Sequence, residues 1–162
     1  LKVRKIISAI LAMMLLIQVA FVKSEAQPTN ECWDNVIDIY IWEVSREFEL
    51  SPYMLASLIY QESRFIVEDN LTQIMNKGKW HKEGIEYTGN EDISNPYNNI
   101  RICGYYLNKW AQEYPGEPHR WLRMWNEGNV SNLNTSYYSR SILRRAEKWE
   151  EEQIIYFTEV DK

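Results

Sequence analysis

Two cysteines, two histidines and six glycines are all that 162 residues contain of these types. Each scarcity excludes something. His81 and His119 are far apart and no paired ligand spacing occurs, so no structural zinc site is expected, and no metal or cofactor. Cys32 and Cys103 leave two readings open: a single disulfide in an exported chain, or Cys103 as a small core residue on its helix. A sustained basic stripe is also lacking. The formal net charge is -5, and cations are scattered or fall late in the chain at Arg140, Arg144, Arg145 and Lys148. Since phosphate neutralisation supplies most nucleic-acid affinity, no nucleic-acid partner is expected. No internal repeat occurs, and no strand-like alternation runs longer than a few residues.

What is present begins with Lys2, Arg4 and Lys5, an apolar run from Ile6 to Val22 broken by Ser8 and Gln18, and then Ser24-Glu25-Ala26. This is the layout of a secretory signal peptide over 1–26, cleaved after Ala26, which implies a secreted, extracytoplasmic protein. The run is also nearly long enough to span a bilayer, so an uncleaved anchor is the alternative, and the only route to a membrane association. Thr29-Asn30-Glu31 before Cys32 lacks the small apolar residues that precede a lipidated cysteine. The full chain of 162 residues is 45% apolar, enough for one core, so 27–162 is expected to form one domain.

Apolar positions Trp33, Val36, Ile37, Tyr40, Ile41, Val44 and Phe48 recur at steps of three and four, which predicts a first helix from Cys32 to Phe48. Ser51-Pro52 reads as an N-cap and first-turn proline opening a second helix through Leu55, Leu58, Ile59 and Glu62. Between Phe65 and Asn95 the periodicity fades, which predicts mostly loop with one short helix around Trp80 to Gly84. Asn95-Pro96 repeats the capping device ahead of a stripe at Ile100, Cys103, Leu107, Trp110 and Ala111. A turn over 114–118, a helix from His119 to Glu127 stopped by Gly128, and a last helix carrying Tyr138, Ile142, Leu143, Ala146 and Trp149 complete a mainly α chain. Fraying is expected beyond Glu151.

Glu62 follows Leu55 by seven, Leu58 by four and Ile59 by three, so a carboxylate continues an apolar stripe. Two readings follow: a desolvated acid with a raised pKa, suited to general acid catalysis, or a helix-end glutamate that bends back to solvent. The surrounding residues favour the first. The run Ser51 to Phe65, with Glu62-Ser63 near its end, resembles the catalytic-helix motif of the soluble-type lytic transglycosylases, which have a goose-type lysozyme-like fold. Asn70-Leu71-Thr72-Gln73-Ile74 stands where that family has Gly-Leu-Met-Gln-Ile. Trp80-His81-Lys82 resembles secreted Gram-positive members, and Asp92 to Ile100 resembles the family's Asp-Pro, Asn-Ile stretch, followed by Gly104 and Tyr106-Leu107. Met124-Trp125-Asn126-Glu127-Gly128 is similar to Ala-Tyr-Asn-Ala-Gly, and Thr135 to Tyr138 to a terminal Thr-x-x-Tyr. The likeness covers roughly 33–146.

The resemblance implies a single lysozyme-like helical domain acting as a monomer on peptidoglycan glycan strands. It makes Glu62 the catalytic residue, with Ser63, Gln73, Trp125, Asn126 and Tyr138 supporting it or binding substrate. Trp80, Tyr97 and Trp125 are the expected groove aromatics. Departures are Asn70 for glycine, Thr72 for methionine, Trp125 for tyrosine and Asn134 for glutamate, and the stretch from Glu62 to Gln73 is short. Asn70 is compatible with a left-handed turn. Thr72 is expected to alter how a sugar N-acetyl group is held. Ordinary glycosidases use two carboxylates. Asp69 and Asp92 are weak candidates for a second, since Asp69 is placed in a loop and Asp92 ahead of a helix. A lone acid suffices if the substrate's own C6 hydroxyl attacks C1, giving a 1,6-anhydro sugar. A hydrolytic muramidase and an inactive wall-binding or scaffold module remain the alternative functions.

Overall fold

Three helix starts use the same device. Ser51, Asn95 and Ser136 each accept a hydrogen bond from a backbone amide three residues on: from Met54 at 3.3 Å, Asn98 at 3.2 Å and Ser139 at 3.1 Å. Each bond satisfies an amide that the first turn leaves without a partner, and Pro52 and Pro96 add a preset backbone angle. Ser139 also returns a bond to Ser136, closing a reciprocal capping box.

The computed structural model describes residues 32–74, 79–90, 92–128 and 134–159. The expected signal peptide over 1–26 lies outside them. Side chains 32–35, 69 and 79–81 are likewise outside, which includes Trp80. The described helices are α1 (Cys32–Glu47), α2 (Pro52–Ser63), α3 (Lys79–Thr88), α4 (Pro96–Glu113), α5 (Pro118–Glu127) and α6 (Tyr137–Glu151), with short 3-10 turns at Val67–Asp69 and Phe157–Glu159. No strand occurs among the described residues, so the chain is mainly helical. No described helix is long and apolar enough to cross a membrane.

Most boundaries fall where capping residues and periodicity put them. The short helix expected at 80–84 is a ten-residue helix, α3, because Gly84 sits inside it rather than ending it. A Cβ at Gly84 would lie 2.7 Å from Ile102 Cγ2, so the glycine lets α3 close on α4. Gly104 serves α1 likewise: a Cβ there would meet Val44 Cγ1 at 2.6 Å and Phe48 Cδ2 at 2.8 Å.

α2 is the central helix. Every residue from Met54 to Ile59 is buried, so it carries apolar residues all round rather than the single stripe expected. Its main neighbour is α6, which also packs on α5, while α4 packs on α3 and α5. Residues 152–159 do not fray. They turn back so that Phe157, 1% exposed, packs on Trp42 of α1, Tyr53 of α2 and Trp149 of α6. Asp38 of α1 fixes the return, accepting from the Phe157 amide at 2.9 Å and the Thr158 hydroxyl at 2.8 Å. Cys103 is a free thiol, fully buried, and so a core residue.

Candidate active site

Glu62 occupies the penultimate position of α2, where the central helix leaves the core, and it is half-buried. The phenol of Tyr138, in the first turn of α6, donates a hydrogen bond to Glu62 Oε1. Burial pushes the Glu62 carboxyl above its ordinary value, and the Tyr138 bond, which favours the carboxylate, offsets part of that rise. Burial and the neighbouring negative charge push the Tyr138 phenol up in turn, so it remains a donor throughout the working range. Burial raises the Cys103 thiol most, and Glu62 adds to the effect, so Cys103 is a neutral wall beside the acid.

The α2–α6 seam is locked by polar bonds one to two turns deeper. Ser57 Oγ donates to the Ile142 carbonyl at 2.8 Å. Arg145 donates to the Ser57 carbonyl at 3.1 Å and to Gln61 Oε1 at 3.2 Å. These bonds set where Tyr138 stands relative to Glu62. The basic character of 140–148 did not reveal this task for Arg145. Its signal was its place three and seven residues after Ile142 and Tyr138 along one face of the helix.

Beyond Glu62 the chain bends sharply. Arg64, Phe65, Asn70 and Gln73 all have left-handed backbones, with φ of 54°, 64°, 61° and 54°. Asn70 therefore adopts the left-handed turn that its side chain was expected to tolerate. Ser63, 5% exposed, hydrogen-bonds the Ile59 carbonyl at 3.2 Å and the Leu71 carbonyl at 2.9 Å, joining the end of α2 to this loop. It supports the site from beneath.

Asn99 of α4 holds the other side of the loop. Its Oδ1 accepts from the Thr72 amide at 3.0 Å and the Thr72 hydroxyl at 2.7 Å. Its Nδ2 donates to Asn70 Oδ1 at 2.6 Å and to the Ile93 carbonyl at 3.1 Å. Thr72, expected to alter how a sugar N-acetyl group is held, is 0% exposed with its hydroxyl given to Asn99, so its contact is with α4. The sequence marked Asn99 only as part of a motif. Its spacing of four from Cys103 puts both on one face of α4, so one helix supports the loop and walls the acid.

Gln73 is exposed on this loop, its amide donating to the Asn70 carbonyl at 2.7 Å. Asn126 is exposed and Trp125 half-buried at the end of α5, with Trp125 edge-on to Trp110 at 6.4 Å between ring centroids. Tyr97 packs on Tyr40 of α1 at 5.1 Å. Glu62 and Tyr138 are thus in direct contact, Ser63 ends the same helix as Glu62, and Gln73 stands on the adjoining loop. Asp92 is exposed and accepts from the Ser94 amide at 3.0 Å and its hydroxyl at 2.5 Å, which hold its carboxyl below the usual range. It caps the turn before α4 and remains ionised.

Comparison with family models, curated proteins and solved structures returned no match. A carboxyl whose protonated form is favoured by burial, with one oxygen already accepting from a phenol, has its other oxygen available to carry and deliver a proton. Once the proton has left, the same phenol stabilises the carboxylate, which then serves as base. No group of three or more potential metal-ligating side chains occurs among the described residues.

Proposed function

We propose that this protein is a peptidoglycan lytic transglycosylase with a lysozyme-like fold, acting outside the cytoplasm on glycan strands. The observation that carries the reading is the Glu62–Tyr138 pair: a desolvated acid at the end of the central helix, held by a phenol that does not titrate in its range. Glu62 protonates the glycosidic oxygen as its bond to C1 of the muramic acid breaks. The resulting carboxylate takes the proton of the same sugar's C6 hydroxyl as that oxygen bonds to C1. Protons balance, Glu62 is restored, and the product is a 1,6-anhydro end formed without water. The hydroxyl is already tethered to the reacting sugar, so no second enzymic carboxylate is required. Gln73, Asn126 and Trp125 are the groups offered to the sugars, two as hydrogen-bonding amides and one as a flat apolar face.

Mass spectrometry of peptidoglycan digested by the wild type and by Glu62→Gln tests this. Anhydro ends made by the wild type alone are the expected result. Reducing ends would reassign the protein as a hydrolytic muramidase, and intact peptidoglycan would leave it a non-catalytic wall module.

A further inference from the structure

Arg123 is a cation at a core position of α5: it lies between the buried Leu122 and Met124 and is itself 8% exposed. A guanidinium is rarely buried unless its donors are engaged. Arg123 meets that condition. Its Nε and Nη2 fork onto the Glu127 carboxylate one turn on, at 3.1 and 2.7 Å, and its Nη1 donates to the Asn134 carbonyl at 2.7 Å. The fork fixes the plane of the guanidinium, so the Nη1 bond has a set direction. It reaches the segment that starts α6.

That segment is stiff. Arg140 donates to Thr135 Oγ1 at 2.9 Å, and the reciprocal Ser136–Ser139 box closes the first turn around Tyr138. Its far end is tied to α5 as well: Ser139, 0% exposed, shares a hydrogen bond through Oγ with His119 Nδ1 at 3.0 Å. His119 and Arg123 are four residues apart on one face of α5, and their bonds bracket Tyr138 at 134 and 139. The polar bonds from the middle of α2 reach α6 only at Ile142 and Arg145, a turn or more beyond Tyr138.

We propose that Arg123 is a positioning residue for the reaction: by tying α5 to the segment ahead of α6, it holds the Tyr138 phenol on Glu62. This rests on the reading of Glu62 as the acid. Among the described residues, the titratable groups that act with Glu62 are the Tyr138 phenol from α6 and the Cys103 thiol from α4, which is neutral. A displaced α6 therefore takes from the acid the bond that favours its carboxylate.

The test titrates the Glu62 carboxyl by carbon NMR, its signal assigned by its loss in Glu62→Gln, in the wild type, Arg123→Met, Tyr138→Phe and the double variant, alongside kcat and KM on glycan strands. Glu127 and Asn134 are exposed, so the groups that Arg123→Met releases there return to water. Arg123→Lys, which keeps the charge but not the fork, is the second variant should methionine prevent folding. Arg123→Met is expected to lower the acid dissociation constant of Glu62 by roughly three- to tenfold, the worth of one hydrogen bond. It should lower kcat by roughly tenfold with KM unchanged. In the Tyr138→Phe background it should move the Glu62 titration no further. An unmoved Glu62 titration in the folded variant, or a shift that persists in full without the Tyr138 hydroxyl, overturns the role of Arg123 alone. Glycan left intact by the wild type overturns the reading of Glu62, and this role in a reaction with it, whatever the titration shows.

Discussion

Glu62 feels two opposed effects, and their balance gives separable expectations. Because burial outweighs the Tyr138 bond, the acid's pKa lies above 4.5, and the alkaline limb of kcat/KM should fall above that pH. Tyr138→Phe removes the contribution that lowers it, so the limb should move further up; a pH–rate profile with an unmoved limb would show that the phenol does not act on the acid. Glu62→Gln should lower kcat by about 10² to 10⁴, the usual worth of a general acid–base group. The linkage sign favours the variant's stability. A group whose folded pKa is raised stabilises the fold below its unfolded pKa and loses that contribution as pH rises through the folded one. Near neutrality the charged Glu62 is therefore a burden, and Glu62→Gln should melt no lower than wild type in thermal scans at pH 7, and relatively better there than at pH 4.

At the scale of elements, the loop after α2 depends on a helix it does not belong to. Asn99 is 1% exposed and bonded to Asn70, Thr72 and Ile93, so Asn99→Ala should cost about 2 to 4 kcal/mol in urea titrations by leaving buried partners unpaired. Thr72→Met should destabilise this chain by about 1 to 3 kcal/mol, since the pocket is closed and the hydroxyl is used. Unchanged unfolding midpoints would refute these assignments. Here the limits of the sequence are physical. Helices announced themselves through periodicity and through Ser51, Asn95 and Ser136, because those signals are local. Glu62 was legible because a charge interrupted a local stripe. Asn99, Arg145 and Thr72 were not, because an amide, a guanidinium and a hydroxyl acquire their meaning from partners 27 to 88 residues away. Thr72 was misplaced for that reason: its neighbours in sequence point to substrate, its neighbour in space is Asn99.

For the whole molecule, the core is closed by its last described turn. Phe157 touches three helices, and Phe157→Ala should cost about 3 to 5 kcal/mol and lower the melting temperature in a single cooperative transition. A transition in which only the C-terminal segment loosens, seen as local hydrogen exchange without global loss, would contradict that role. The short run Ile154-Ile155-Tyr156-Phe157 has no helical or strand period, so its return to the core is invisible in the sequence.

That return also fixes when the fold can be completed. α1 supplies Asp38 and Trp42, yet their partners lie 119 and 113 residues later along the chain. A polypeptide appearing N-terminus first has the central helix α2 early but lacks the aromatic plug that joins α1, α2 and α6. Until residue 157 has emerged, the nascent chain must keep an open apolar seam. Released chains truncated at Glu151 should accordingly remain sensitive to protease, while released chains that extend past Thr158 become resistant.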